Sequence, residues 1–362
     1  MTPDALTLEP PFGARDPGGM AALVDAIPDH IDQALARTDA RPWQVSVKDP
    51  DLVAVGGMGG SAIAAELTGA MWADAMPRPW LVVRDYRWPA CVGPRSLAVL
   101  SSNSGNTEET LALDAEAAAR KVPRVGMTSG GALGQRLAAA GAHVQSMPAG
   151  MPPRAALFHA WVPMTRLVRA LGWVSDPAAG WREAAALTRA RLAELGAAVP
   201  ETANPAKRMA RACHGRAMFV YAANGPTGAV AIRWRQQLSE NAKLLGHSAV
   251  VPELNHNEIV GWQAPTAFHR SIAVIVLRDR EDSAEATTRL DLTAEYAARQ
   301  GAAVYDVRSV GESRVARLAS LVQFGDHLSL HLALLGGVDP TDIKSIDEFK
   351  RRLSEKAPPR QH

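Results

Sequence analysis

The stretch LAVLSSNSGNTEETL, residues 97–111, runs an apolar strand pattern into small hydroxyl and amide side chains, a glycine, and the acidic start of a helix. Such a turn has two readings. Asn106 and Thr107 can cap a helix by satisfying its orphan amides. Alternatively those amides stay open and, with the hydroxyls of Ser102, Ser104 and Thr107, form a seat for a phosphate group. A second turn of the same kind lies upstream in LVAVGGMGGSAIAAEL, residues 52–67, where Gly56, Gly57, Gly59 and Gly60 separate a strand from a helix beginning near Ser61. Taken alone it is a tight strand-to-helix turn that departs from GxGxxG, and no acidic residue follows at the spacing a ribose requires. Taken together, two such turns at the carboxyl ends of parallel strands converge on one crevice. Ser61, Ser102, Ser104 and Thr107 can then wrap a phosphate without any Lys or Arg.

Working outward, strand and helix signals alternate. WLVVRDY, SLAVLSS and PRVGMTS read as strands, and SAIAAELTGAMW, TEETLALDAEAAARK and LGQRLAAAGA as helices. Buried β-branched runs separated by amphipathic helices predict a mainly parallel sheet covered on both faces. MAALVDAIPDHIDQALA, before it, reads as one or two short helices. PRAALFHAWVPMTRLVRALGW and GWREAAALTRARLAELGAAV, after it, form a helical bridge. The rhythm then resumes with RAMFVYAAN, a helix over PTGAVAIRWRQQLSENAKLLG, SIAVIVLRD, ATTRLDLTAEYAARQ, AAVYDVRS and a long helix ending in HLALLGG. MFVYAANGPTGAVAIRW repeats the strand, small-residue turn and helix of the first half, so the architecture reads as duplicated. The expected division is an N-terminal helical segment over 1–45, a first α/β domain over 46–152, the bridge over 153–203, a second α/β domain over 204–340, and a C-terminal turn and helix over 341–362.

The chain's 362 residues exceed what one core usually supports, and its 47% hydrophobic and 21% charged residues fit an ordinary globular protein. A formal net charge of +2 without a long basic tract argues against nucleic acid, so an anion is captured locally rather than steered by a global field. Cys91 and Cys213 stand far apart, which argues against a disulfide framework or a zinc site. The start, MTPDALTLEPPFGARDPGG, has acids and prolines where a signal peptide needs a basic and then an apolar segment. No unbroken apolar run reaches the roughly 18 residues of a membrane span. The expectation is a cytoplasmic protein with no membrane partner.

GGMGGSAIAAEL followed by SSNSGNTEET resembles the sugar isomerase (SIS) domain, whose Ser/Thr-rich turn holds the phosphate of a phosphosugar. ENAKLLGHSAVVPELNHNEIVGW (240–262) and DPTDIKSIDEFKRRL (339–353) resemble one branch of that superfamily, the bifunctional phosphoglucose/phosphomannose isomerases. The resemblance runs from about residue 50 to 353 and implies two SIS-type subdomains, each an αβα sandwich. It implies isomerisation of glucose 6-phosphate and mannose 6-phosphate with fructose 6-phosphate through an enediolate, with no metal or other cofactor. Such chemistry needs a carboxylate base, an acid/base for the ring oxygen, and a cation for the developing negative charge.

By the resemblance, Glu240 is the proton-shuttling base and Arg154 the enediolate stabiliser. His256 opens the ring with Lys350, and the turns at Ser61, Ser102, Ser104 and Thr107, with the loop at Gly59 and Gly60, hold the 6-phosphate. The equivalent histidine of related isomerases comes from the neighbouring subunit, which implies a homodimer. Each residue also has a plainer reading. Glu240 reads as an exposed helical acid paired with Lys243, His256 as a structural histidine, and Lys350 as part of a basic helix with Arg351 and Arg352. Arg154 reads as a helix-start cation that an external anion would explain. Many relatives carry an aromatic residue where Asn103 stands. His247, Glu253, Asn255 and Glu258 lie close enough to His256 to support or replace it, and Thr341 reads as a specificity residue or a turn former. Two other functions stay open: a non-catalytic phosphosugar-binding protein, and an isomerase of a different, amino sugar phosphate.

Overall fold

The computed structural model describes residues 7–263 and 267–356. The expected tail APPRQH, and the first residues of the N-terminal segment, lie outside the described residues. Helices α1 (Met20–Asp25) and α2 (Ile27–Ala40) precede a sheet of β1 (Val53–Gly57), β2 (Trp80–Val83), β3 (Leu97–Ser101), β4 (Arg124–Thr128) and β5 (Val144–Ser146). Between its strands run α3 (Gly59–Met71), α4 (Glu108–Ala119) and α5 (Gly131–Ala139). Helices α6 (Leu157–Ala170), α7 (Ala178–Leu195) and α8 (Pro205–Cys213) lead to a second sheet of β6 (Ala217–Ala223), β7 (Gly246–Val251), β8 (Ile272–Arg278) and β9 (Ala303–Arg308). With it come α9 (Pro226–Glu240), α10 (Ala284–Arg299), α11 (Arg314–Leu335) and the terminal α12 (Lys344–Lys356).

The strand orders are β2-β1-β3-β4-β5 and β7-β6-β8-β9, and every described pair is parallel. The second order repeats the first with one strand fewer, so the duplication read in the sequence is present in the topology. Strand alternation decides what each face meets. Val53, Val55, Leu97 and Val99 turn into a central core, while Ala54, Ala98 and Leu100 face an outer cluster with Leu113 and Leu137. In the second sheet Met218, Val220 and Ile275 join the same central core, whereas Tyr221, Val274 and Val276 face outward under Leu254, Trp262 and Leu290. The inner faces of both sheets therefore share one core, completed by α2, α6, α7, α9 and α11.

Some boundaries differ from the sequence reading. The helix expected over 226–246 stops at Glu240, because Lys243 takes a left-handed backbone (φ 56°). Its ammonium then binds the carbonyls of Glu240, Asn241 and Asp339 at 2.9, 3.3 and 2.6 Å. GHSAVV, of which only Gly246 fell within that expected helix and the rest was left unassigned, is the edge strand β7. Strand β5 is short enough to lack a pattern. Helix α8 was hidden by its polar face, although Asn204, whose side chain accepts from Ala206 and Lys207, and Pro205 are a standard start signal. Helix α6 begins at Leu157, so Arg154 precedes the helix rather than opening it.

Helix α11 is long and apolar enough to cross a bilayer, but its apolar stretch is wholly buried in the protein, as a core helix is. It carries His327 and His331, whose ring nitrogens have no hydrogen-bond partner. Burial holds His327 down to about 3 and His331 well below the usual value, with Lys207 adding to both. His159 is also held at about 3 by burial and by Arg37. These rings are neutral in the folded state and protonate in the unfolded chain below pH ~6.5, so stability is full above that pH and declines as pH falls toward 3. At pH 5 a ring such as His327 should cost about 2 kcal/mol. Urea unfolding at pH 7.5 and pH 5 should show the loss, and His327→Gln should reduce the difference; equal midpoints would overturn this account.

Candidate active site

The two small-residue turns meet at the carboxyl ends of β1 and β3. A Cβ on Gly57 would lie 2.8 Å from the Ser101 carbonyl and 3.4 Å from the Ser61 Cβ, so the strand ends are in direct contact. Ser102 is buried, and its hydroxyl bonds that of Thr107 at 2.8 Å and accepts the Gly105 N–H at 3.1 Å. The Ser104 hydroxyl accepts from the Asn106 N–H at 3.2 Å. Thr107 is the N-cap of α4 but makes no side-chain cap, and α3 begins after Met58 likewise uncapped. The capping reading of the first turn is thus not what forms. Neither helix start is closed by a side-chain cap, although the Ser61 N–H donates to the Met58 carbonyl at 3.0 Å, and hydroxyl groups stand beside both starts. Such a place suits a phosphate.

Glycines make the turn possible where backbones touch. Gly105 has φ 68°, and a Cβ there would fall 1.9 Å from the Gly130 carbonyl. Gly60 lets the next segment approach, since its Cβ would lie 2.7 Å from the Pro153 carbonyl. Asn103 donates to the Met151 carbonyl at 3.3 Å, and its own carbonyl accepts from the Ser129 N–H and hydroxyl. It ties the turn to the 148–154 loop, a job for an amide rather than an aromatic ring.

Arg154 is 2% exposed and sits one residue beyond the Gly60 contact. Its Nε donates to Asn241 Oδ1 at 2.7 Å, and its terminal nitrogens donate to Glu240 Oε2 at 3.4 Å and to the carbonyls of Pro340 (2.5 Å) and Thr341 (3.0 Å). Burial lowers the Arg154 pKa and the Glu240 carboxylate opposes that shift, while an arginine stays charged throughout. The protein's own acceptors satisfy this cation, so no external anion is needed to explain it. The expected Glu240–Lys243 pair is replaced: Lys243 binds the Glu240 carbonyl, and the half-buried carboxylate faces Arg154.

Residues missed by sequence reasoning hold this arrangement. Arg233 donates to the Arg154 carbonyl at 2.7 Å and pairs with buried Asp326 at 2.9 Å, which also accepts from Gln237. Asn241 Nδ2 donates to the Ser329 hydroxyl at 3.0 Å. Asn241 stood beside Glu240 in the motif and was the available signal; Arg233 and Asp326 carried none, because their pairing joins α9 to α11. The Thr341 hydroxyl lies against Gly18 without a partner, and its carbonyl is what reaches Arg154.

His256 and Lys350 are not brought to this cluster. His256 is exposed, in a short 3-10 turn (Glu253–His256) directly after β7. Its neighbours lock that segment to the outer face of the second sheet. Asn255 donates to Thr293 of α10, Glu258 accepts from Tyr221 (2.5 Å) and pairs with His247 (2.8 Å), and Glu253 binds Asn257. Burial acts to raise the Glu258 pKa, but the bonds from His247 and Tyr221 outweigh it and hold it low. Glu240 ends α9 on the inner face at the opposite end of β7. The strand's length alone separates the two residues by about 20 Å. Lys350 lies on α12, which buries none of its residues.

Comparison with known proteins identifies the relatives of this chain. Residues 202–353 match the family model described as "Bacterial phospho-glucose isomerase C-terminal SIS domain". The bifunctional phosphoglucose/phosphomannose isomerase of Caldicellulosiruptor bescii is 36% identical over 91% of this chain and 97% of its own. That of Aquifex aeolicus is 30% identical over 83% and 90%. Among solved structures, the tagatose-6-phosphate ketose/aldose isomerase of Escherichia coli superposes with a TM-score of 0.70 at 15% identity, over 91% of this chain and 97% of that one; this likeness speaks to fold alone.

The Arg233–Asp326 pair makes a test of the support behind Arg154. Arg233→Met strands a buried carboxylate and should lower stability to urea by about 3–5 kcal/mol, while adding Asp326→Leu should restore most of it. A single variant as stable as the parent would show that the pair carries no such load.

Proposed function

The chain belongs to the bifunctional phosphoglucose/phosphomannose isomerase family, and from that membership we propose that it interconverts glucose 6-phosphate and mannose 6-phosphate with fructose 6-phosphate. The observation that carries this reading is a carboxylate and a guanidinium 3.4 Å apart, Glu240 and Arg154, one residue's reach from an open, hydroxyl-lined helix start. Sugar 6-phosphates join those requirements in one molecule. The phosphate takes the seat formed by Ser61, Ser102, Ser104 and Thr107 with the loop at Gly59 and Gly60, and the reactive carbons extend toward Glu240.

His256 and Lys350 open the sugar ring, the histidine coming from a second copy of the chain. Glu240 then removes the C2 proton of the open aldose and returns it to C1, while the hydroxyl proton passes from O2 to O1. Negative charge develops on the enediolate oxygens between these steps, and Arg154, dry and fixed by its acceptors, stabilises it without reorganising. C2 is planar at that stage, so rotation about C2–C3 lets one base form either epimer. Proton transfers suffice for this route, and we assign it no metal or nucleotide cofactor.

A coupled assay offering each of the three sugar 6-phosphates separately tests the proposal, and turnover of none would end it in favour of a phosphosugar-binding role. Glu240→Gln should reduce kcat by roughly a hundredfold to ten-thousandfold with little change in KM; near-normal turnover would remove it as the base. Ser102→Ala with Thr107→Ala should raise KM by roughly tenfold per hydroxyl lost, since each bonds a charged group. An unchanged KM in that double variant would remove the phosphate seat.

A further inference from the structure

A guanidinium can grip a carboxylate through two nitrogens at once, and that two-point pair is among the strongest a protein makes. Glu240 and Arg154 do not form it. Their contact is a single bond from Nη1 to Oε2 at 3.4 Å, long for two opposite charges. An arginine offers two forks, the side-on Nε–Nη2 and the end-on Nη1–Nη2, and both require Nη2. Here Nη2 donates to the carbonyls of Pro340 and Thr341, which use both of its hydrogens, and Nε donates to Asn241 Oδ1 at 2.7 Å. Glu240 is left with Nη1 alone.

Lys243, the other cation beside Glu240, is diverted in the same way. Its ammonium donates to the carbonyls of Glu240, Asn241 and Asp339, and among the described residues none of its bonds goes to the Glu240 carboxylate. Three successive carbonyls, those of Asp339, Pro340 and Thr341, thus draw two cations away from one acid. A carboxylate gripped at two points has fewer lone pairs to offer and is a weaker base, which is the wrong state for a group that must take a proton from carbon.

We propose that Asn241 is a positioning residue for the isomerisation, holding the Arg154 guanidinium turned so that the cation stands beside Glu240 without closing onto it. The inference rests on the isomerase reading above and adds the residue that keeps its base free. Asn241 is fully buried at the end of α9, and both ends of its amide are used. A guanidinium has no acceptor, so Oδ1 must face Arg154, and Nδ2 then donates to the Ser329 hydroxyl at 3.0 Å. Ser329 in turn donates to the Asp326 carbonyl at 3.0 Å. The plane of the amide is therefore set from α11, independently of Arg154. Nε lies at the root of the guanidinium, so fixing its hydrogen fixes the rotation of the whole group and delivers Nη2 to the two carbonyls. Released from Asn241, the group can turn a fork toward Glu240, and one closed pair then removes both the base and the Nη1 donor from the reaction.

Asn241→Leu removes the acceptor at similar volume. Its kcat should fall roughly ten- to hundredfold while KM for fructose 6-phosphate stays within about twofold. Affinity for arabinonate 5-phosphate, whose planar carboxylate mimics the enediolate, should fall by about the same factor as kcat/KM. Asn241→Asp keeps an acceptor for Nε, and the Ser329 hydroxyl can turn to donate to it, so kcat should return to within about fivefold of the parent. Unchanged kcat in Asn241→Leu, an equal loss in both variants, or a loss carried by KM alone overturns the proposal. Should Asn241→Leu fail to fold, Ser329→Ala releases the amide while leaving the acceptor in place; its kcat should fall about three- to tenfold at constant KM, and an unchanged kcat overturns the proposal. A crystal structure of Asn241→Leu should show Arg154 and Glu240 joined by two bonds, and a single long contact there counts against Asn241. Failure of the wild-type protein to turn over any of the three sugar phosphates would instead sink the functional reading, and that crystal structure would still decide whether Asn241 holds the pair apart.

Discussion

A guanidinium that cannot lose its charge lies almost fully buried at Arg154, and the surrounding structure answers that constraint. An unpaired buried cation costs several kcal/mol, so every direction in which it donates must meet an acceptor. Those acceptors come from the end of α9, the carbonyls of Pro340 and Thr341, and the Glu240 carboxylate. Its backbone is pinned by Arg233 on one side and by the Gly60 approach on the other. Segments from both halves of the chain must be in register before the charge is satisfied. The same requirement that makes the halves one unit also fixes the carboxylate beside the cation.

The duplicated architecture uses its two equivalent turns differently. In the first half, the turn after β1 starts its helix without a side-chain cap, and the Ser61 N–H donates to the Met58 carbonyl. In the second half, the turn after β6 places Pro226 at the helix start, where no N–H exists to offer. Thr227 spends its hydroxyl on the Ala223 carbonyl and Asp282. Asp282 is itself more than half buried at that helix start, and a carboxylate there repels any anion. Identical topology thus yields a helix start without a side-chain cap in one half and a helix start closed by Pro226, Thr227 and Asp282 in the other. Strand order alone would not distinguish them; the residues within a few positions of each helix start do.

The fold was legible because its signal is local and periodic. Buried strands such as SLAVLSS and SIAVIVL are continuous apolar runs, and the turns between strand and helix carry Gly and hydroxyl residues for stated physical reasons. Where the reading failed, the deciding forces were tertiary. Nothing in NAKLLG marks a helix end, because Lys243 stops α9 by reaching the Asp339 carbonyl nearly a hundred residues away. The site was legible as a set of residue types and hidden as a set of distances. Glu240 and Arg154 were both read, but their pairing was not, since Lys243 was nearer in sequence and of the right charge. Arg233, Asp326 and Ser329 had no local signal because each acts through a partner on another helix.

His256 shows the same limit in a stronger form. In sequence it lies sixteen residues from Glu240, a spacing that suggests neighbours. The chain between them builds an edge strand and then folds onto the far face of the sheet, so the short segment separates the two groups instead of joining them. Locking that segment through Asn255, Glu258 and Trp262 removes any cheap rearrangement that would swing the imidazole back through the sheet. The same fastening leaves His256 exposed on the far side of the sheet, with its backbone held by the bonds of its neighbours.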